Sequence, residues 1–243
     1  MHTEYKHIVR GSPVAVLFIH GITGTPDHFR EWIKVLPKDF SVHNLLLAGH
    51  GKGVRDFSKA SMKKWRSQVS QAVEELAQSH EQIYVVAHSM GTLLSIEESL
   101  IANRISKLYL LAVPLKIWPN SRMFLTPIKI FFDRIDPNDP IEVAAKRCYG
   151  IAPDKNLFHY LGWIPRYLEL FSLIRKTRKV IRSLSVPTFA FQSKKDEIVS
   201  LRSNKFLEEN PNISLTILQN SVHYYYAKED LDLLLKAFTQ FIA

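Results

Sequence analysis

The chain has 243 residues, 46% of them apolar, enough to bury one substantial core and too few to require two independent ones. Its single cysteine, Cys148, excludes an intrachain disulfide and a cysteine-based metal site, suits a reducing compartment, and is expected to be a buried apolar thiol. Lys and Arg outnumber Asp and Glu by 32 to 23, a net charge of +9, and residues 116–182 alone hold 13 of the basic residues against 6 acidic ones. The charge is therefore a property of one segment, and no recognised nucleic-acid motif accompanies it, so no nucleic-acid partner is expected.

In chain order, the N-terminal MHTEYKHIV lacks the apolar stretch of a signal peptide, and the apolar runs are far too short to span a bilayer. A soluble cytoplasmic protein is the expectation. Tyr5 to Arg10 reads as an edge strand, and Val14 to His20 as a strand buried on both faces of a parallel sheet. Similar runs follow at Val42 to Ala48, Gln82 to His88, Lys107 to Val113, Thr188 to Gln192 and Ser214 to Leu218. Helical patterns occupy about 26–36, 61–79, 90–102 and 228–242 between and after them. Such alternation predicts an α/β fold with a doubly wound, mostly parallel sheet, because parallel strands need crossover helices.

Residues 116–182 interrupt that rhythm with a segment rich in Trp, Phe, Tyr, Pro and Arg. Within it Asp139, Pro140 and Glu142 read as an N-cap, a first-turn proline and a capping-box glutamate. A second helix is predicted from near Pro165 toward Leu184. The spacing thus predicts a core of residues 1–115 and 183–243 carrying a helical cap, 116–182, inserted between two strands of a single overall domain. Trp118, Phe124 and Trp163 are candidates to line an apolar substrate pocket beneath the cap, whose basic surface is a candidate for weak association with an anionic membrane or lipid interface.

The chemistry is signalled by Ala87-His88-Ser89-Met90-Gly91, directly after an apolar strand and before a helical pattern. Small residues two before and two after the serine allow a sharp strand-to-helix turn that exposes its hydroxyl over the helix N-terminus. Acyl chemistry needs donors for a developing oxyanion. The backbone N–H of Met90 is one candidate, and that of Ile22, in His20-Gly21-Ile22-Thr23-Gly24, is the other. Gly49-His50-Gly51-Lys52-Gly53 fails as a dinucleotide loop because Val54 stands where the third glycine belongs. With no P-loop or zinc motif, no cofactor or metal is expected.

Together the loop His20 to Pro26, the turn Gly49-His50-Gly51 and the elbow Ala87 to Gly91 resemble the α/β-hydrolase superfamily, and within it the small bacterial carboxylesterases and monoacylglycerol lipases. The resemblance spans residues 14–114 and 186–242. It implies a serine nucleophile, with an acid after the penultimate strand and a histidine after the last. After His159 the chain's only histidine is His223, and between Thr188 and His223 its only aspartate is Asp196. Ser89, His223 and Asp196 are thus the candidate triad, with Glu197 an open alternative for the acid. Ala87 replaces the usual first glycine of the elbow, Val222 stands where a glycine often precedes the histidine, and Lys195 flanks the acid. The activity implied is hydrolysis of small esters with apolar, short to medium acyl groups. Thioesterase, acyltransferase and carbon–carbon hydrolase chemistry share the triad, and a ligand-sensing homologue is a rival of another kind. The oligomeric state is not legible.

Overall fold

The computed structural model describes residues 2–118 and 120–243. In chain order the strands are β1 (Tyr5–His7), β2 (Val14–Ile19), β3 (Ser41–Leu45), β4 (Lys52–Gly53), β5 (Gln82–His88), β6 (Ile105–Leu111), β7 (Ile151–Ala152), β8 (Thr188–Ser193) and β9 (Ile213–Leu218). The α-helices are α1 (Arg30–Lys34), α2 (Val54–Ser58), α3 (Met62–Ala77), α4 (Met90–Ile101), α5 (Ser121–Phe131), α6 (Pro140–Cys148), α7 (Ile164–Val180), α8 (Asn204–Glu208) and α9 (Lys228–Ile242). Seven strands form one sheet in the order β1-β3-β2-β5-β6-β8-β9. Among the described residues only β1 runs antiparallel in this sheet, at its edge.

Period-two alternation divides the buried side chains between two layers. Ala15, Leu17 and Ile19 of β2 join Val85 and Ala87 of β5 in a core beneath α3, α4 and α7. Val14, Val16 and Phe18 join Tyr84 and Val86 on the other face, where Trp32 of α1 and Leu234, Phe238 and Phe241 of α9 cover them. Burial on both faces is why these runs read as continuously apolar.

Several boundaries differ from the sequence expectation for local reasons. β6 ends at Leu111, two residues before Val113, because Ala112 turns into the left-handed region at φ 54°. β3 stops at Leu45 because the next N–H groups find side chains instead of a strand: Leu47 N–H donates to His20 Nε2 at 3.1 Å and Ala48 N–H to Gln68 Oε1 at 2.7 Å. The pattern at 26–36 begins as a 3-10 turn, Pro26–Phe29, before α1.

Residues 116–182, the segment expected to form a cap, lie between β6 and β8, which pair directly in the sheet. Asp139 caps α6 as expected, accepting from the N–H groups of Ile141 and Glu142, with Pro140 in the first turn. Glu142 departs from the capping box: its carboxylate accepts from Asp136 N–H at 3.0 Å and pairs with Lys129. The expected second helix is α7, which continues as a 3-10 turn at Ile181–Ser183. An additional helix, α5, carries Pro127 in its interior. The insertion is tied to the core by Trp163, whose Nε1–H donates to Val54 O at 3.3 Å, by Arg166 donating to Ser58 O at 3.0 Å, and by pairing of β7 with β4. Among the described residues no helix is long and apolar enough to cross a membrane.

Candidate active site

β5 delivers Ser89 to the carboxyl edge of the sheet, where α4 begins at the next residue. The turn holds Ser89 at φ 53° and ψ −123°, a strained conformation for a residue with a side chain, of the kind that concentrates at functional sites. Gly91 makes the elbow possible. A Cβ built there falls 2.2 Å from Ile19 O, so any side chain would push α4 off β2. Gly91→Ala is expected to cost about 3 kcal/mol or more, measurable as a loss in urea midpoint. Gly21 presses against the serine in the same way: its built Cβ falls 2.9 Å from Ser89 Cβ, which brings the main chain of the His20–Gly24 loop alongside the hydroxyl.

Four histidines shape this edge. Buried His20 donates from Nδ1 to Gly21 O at 2.9 Å and accepts Leu47 N–H at Nε2. His50 reaches Ile22 O from Nε2 at 2.7 Å, fixing the peptide of the loop from behind. His88 donates from Nε2 to His223 O at 3.0 Å. Its ring lies 3.9 Å from that of His28, centroid to centroid. Burial first, and then the neighbouring His223 and Arg147, push His28 down to about 3. His88 is likewise held well below its ordinary value by burial and the adjacent histidines. Both are therefore neutral at pH 7 and serve as braces.

His223 follows β9. Its loop is set by Asp230 of α9, whose carboxylate accepts from Gln219 N–H at 3.2 Å, Asn220 N–H at 2.7 Å, Ser221 N–H at 2.8 Å and Ser221 Oγ at 2.7 Å. Burial would raise the Asp230 pKa, but these hydrogen bonds outweigh it and hold it below 3.8. A carboxylate with a depressed folded pKa adds stability above its unfolded value of about 3.9, and that stability disappears as pH falls through the folded value. Asp230→Ala is expected to cost about 3 kcal/mol near pH 7 and to flatten the loss of stability below about pH 4, which denaturation across pH measures.

The imidazole of His223 donates from Nδ1 to Asp196 Oδ2 at 2.9 Å, both side chains being about 1% exposed. The other Asp196 oxygen accepts the N–H groups of Ile198 and Val199, each at 2.8 Å, which fixes the carboxylate. Burial opposes the imidazolium, yet the charge and hydrogen bond of Asp196 prevail and raise His223 above 6.5. Glu197, the alternative acid, does not reach the ring. It accepts the backbone N–H of His223 at 3.0 Å. Lys195 links the two loops by donating to Asn220 Oδ1 at 3.0 Å.

Ser89 and His223 open onto one cavity of about 750 Å³, lined also by Ile22, Phe124, Trp163 and Tyr224. No hydrogen bond joins the Ser89 hydroxyl to His223, whose Nδ1 edge is turned toward Asp196. Ile22 lines the cavity, and Met90, wholly buried, begins α4 beside Ser89, where its N–H has no intrahelical acceptor. Of the three expected cap residues, Phe124 and Trp163 face the cavity. Trp118 does not: it is 69% exposed and lies beneath the Arg202 guanidinium, 5.5 Å from its ring centroid. Tyr149, Tyr167, Tyr224 and Glu197 also line the cavity, beyond the residues expected there from the sequence. No spacing signal marks the tyrosines, which converge from the insertion and the last loop.

The model of the Alpha/beta hydrolase family matches residues 16–210. The chain belongs to the alpha/beta hydrolase family. Ser89 and Asp196 lie within the matched stretch, and His223 lies beyond it. A curated relative, the thermostable monoacylglycerol lipase of Bacillus sp. (strain H-257), is 33% identical over 85 residues, which is 35% of this chain and 34% of that protein. The aligned stretch thus spans about a third of the relative. Among solved structures of the same fold, one from work on the metagenome-derived lipolytic enzymes LipS and LipT superposes with a TM-score of 0.72 at 16% identity, covering 99% of this chain and 97% of that one. The monoacylglycerol lipase of Paleococcus ferrophilus gives 0.71 at 16% identity, covering 99% and 98%. The mostly parallel central sheet with helices on both faces is that of this family's fold.

Proposed function

We propose that this family member is a serine hydrolase that cleaves carboxylic esters with apolar, short to medium acyl groups. The observation that carries the reading is the buried Asp196–His223 pair opening onto the cavity that Ser89 lines from its strained elbow. In this mechanism Ser89 Oγ attacks the ester carbonyl while His223 Nε2 takes its proton. The hydrogen bond between them forms as substrate fills the cavity, since catalytic contacts are often long before substrate is bound. The carbonyl oxygen becomes an oxyanion held by the N–H groups of Ile22 and Met90. The C–O bond then breaks, the alcohol leaves with the proton from His223, and water repeats the cycle on the acyl-serine to release the acid. Residues 116–182 act as a cap, supplying the apolar wall through Phe124 and Trp163.

Labelling with a fluorophosphonate, followed by peptide mapping, tests nucleophile and reaction class together. Modification at Ser89 is expected, and modification elsewhere, or none, ends the reading. Because His223 acts as base when neutral and its pKa is raised above 6.5, kcat/KM is expected to rise with pH through a midpoint above that value and then level off. A midpoint below 6 in a pH-stat assay contradicts the assignment of the base.

A further inference from the structure

Glu197 lies on the turn after β8, 6% exposed, next to Asp196 in sequence yet turned to a different part of His223. One oxygen, Oε2, takes the His223 backbone N–H at 3.0 Å, while Oε1 takes no hydrogen bond from the described residues. A neutral acceptor would also satisfy that backbone N–H, and burying a carboxylate without a cation is costly. Among the described residues Glu197 forms no ion pair, although Arg122 of α5 lines the same cavity. Beside it the imidazolium of His223 arises when the ring takes a proton.

We propose that Glu197 is a positioning residue for His223, a second buried carboxylate that pins the main chain of the base and stabilises its imidazolium during proton transfer. This role rests on His223 serving as the base described above. The division of labour follows from the geometry. Asp196 fixes the ring through Nδ1, and its other oxygen is consumed by two backbone N–H groups. Glu197 acts through space and through the backbone. The other polar groups facing His223 are His88 at the end of β5, with ring centroids 4.6 Å apart, Tyr224 on its own loop at 4.8 Å, and Ser89 across the cavity. His88 is held neutral by burial and its neighbours. Removal of the Glu197 charge therefore leaves the imidazolium, among the described residues, to Asp196 on Nδ1. The backbone of the same turn is bonded to residues 118–120, since Asn120 N–H donates to Glu197 O at 3.1 Å and Trp118 N–H to Ile198 O at 3.0 Å, which fixes the main chain that carries Glu197.

The test is the titration of His223 itself, followed by NMR of protein labelled at the histidine Cε1, with His223→Gln to assign the resonance. Glu197→Gln keeps the acceptor for the backbone N–H and removes the charge. Its His223 midpoint is expected to fall by about half a pH unit or more, and the acid limb of kcat/KM to move with it while the high-pH plateau stays within about threefold. Glu197→Asp, which keeps the charge, is expected to stay closer to the wild-type midpoint than Glu197→Asn. That shorter pair repeats the comparison should the longer amide fail to fold. An unmoved midpoint in the amide variants shows a passive brace and overturns the proposal. Because the NMR readout needs no turnover, it separates from the hydrolytic reading: an unmoved midpoint in protein that still labels at Ser89 removes only the role of Glu197. A shifted midpoint in protein that does not label removes only the nucleophile.

Discussion

Ser89→Ala is expected to lose on the order of 10³-fold or more in turnover on an ester such as p-nitrophenyl butyrate, with an unfolding midpoint close to that of the wild type. The expectation follows from where the serine atoms lie. Its backbone N–H donates to Leu111 O at 2.9 Å and its carbonyl accepts from Thr92 N–H at 2.9 Å and Thr92 Oγ1 at 2.6 Å. These bonds build the elbow and survive the substitution, whereas the hydroxyl makes no bond that the fold requires. Alanine keeps the Cβ already accommodated beside Gly21. Binding of apolar esters in the cavity should therefore persist, so kcat falls while KM moves little. A variant retaining more than about a tenth of wild-type turnover, with no second labelled residue, would remove the acyl-serine from the mechanism.

The fold was legible in the sequence wherever burial was two-sided. Val14 to Ile19 and Gln82 to His88 contain β-branched residues that face both layers, and their structural bounds lie within one residue of the expectation. The elbow was legible because it is local: strand, small residue, serine, small residue and helix follow one another along the chain. Less legible were features that depend on distant partners. The α5 helix is hard to read because Pro127 stands inside its pattern, and its apolar residues, Met123, Phe124, Ile128 and Ile130 among them, line the cavity instead of packing into a core. Asp196 and Glu197 competed as neighbours of equal chemistry. The turn after β8 separates them, aiming one at the Nδ1 of His223 and the other at its backbone N–H. Composition alone points Trp118 at the pocket, and composition carries no direction. His50 holds the Ile22 peptide across 28 positions of sequence, a contact that no spacing rule encodes.

Asp196→Asn carries the largest expected effect, on the order of 10⁴-fold in kcat, and the reason is one of donors and acceptors. In the wild type Oδ1 accepts two N–H groups, from Ile198 and Val199 at 2.8 Å each, while Oδ2 accepts Nδ1–H of His223 at 2.9 Å. An asparagine side chain offers one oxygen and one NH₂ group. With two backbone donors fixed on the Oδ1 side, the oxygen must stay there, and the NH₂ group faces His223. Nδ1 must then accept, which moves the ring proton to Nε2, the edge that has to receive a proton from Ser89 in the proposed mechanism. The base is lost through its tautomer, with the backbone undisturbed. Removal of the carboxylate also removes the charge that raises His223 above 6.5, so the histidine midpoint in Asp196→Asn should fall below the wild-type value while the unfolding temperature changes little. A variant that keeps more than about 1% of wild-type kcat, with that midpoint unmoved, would show that Asp196 does not control the histidine.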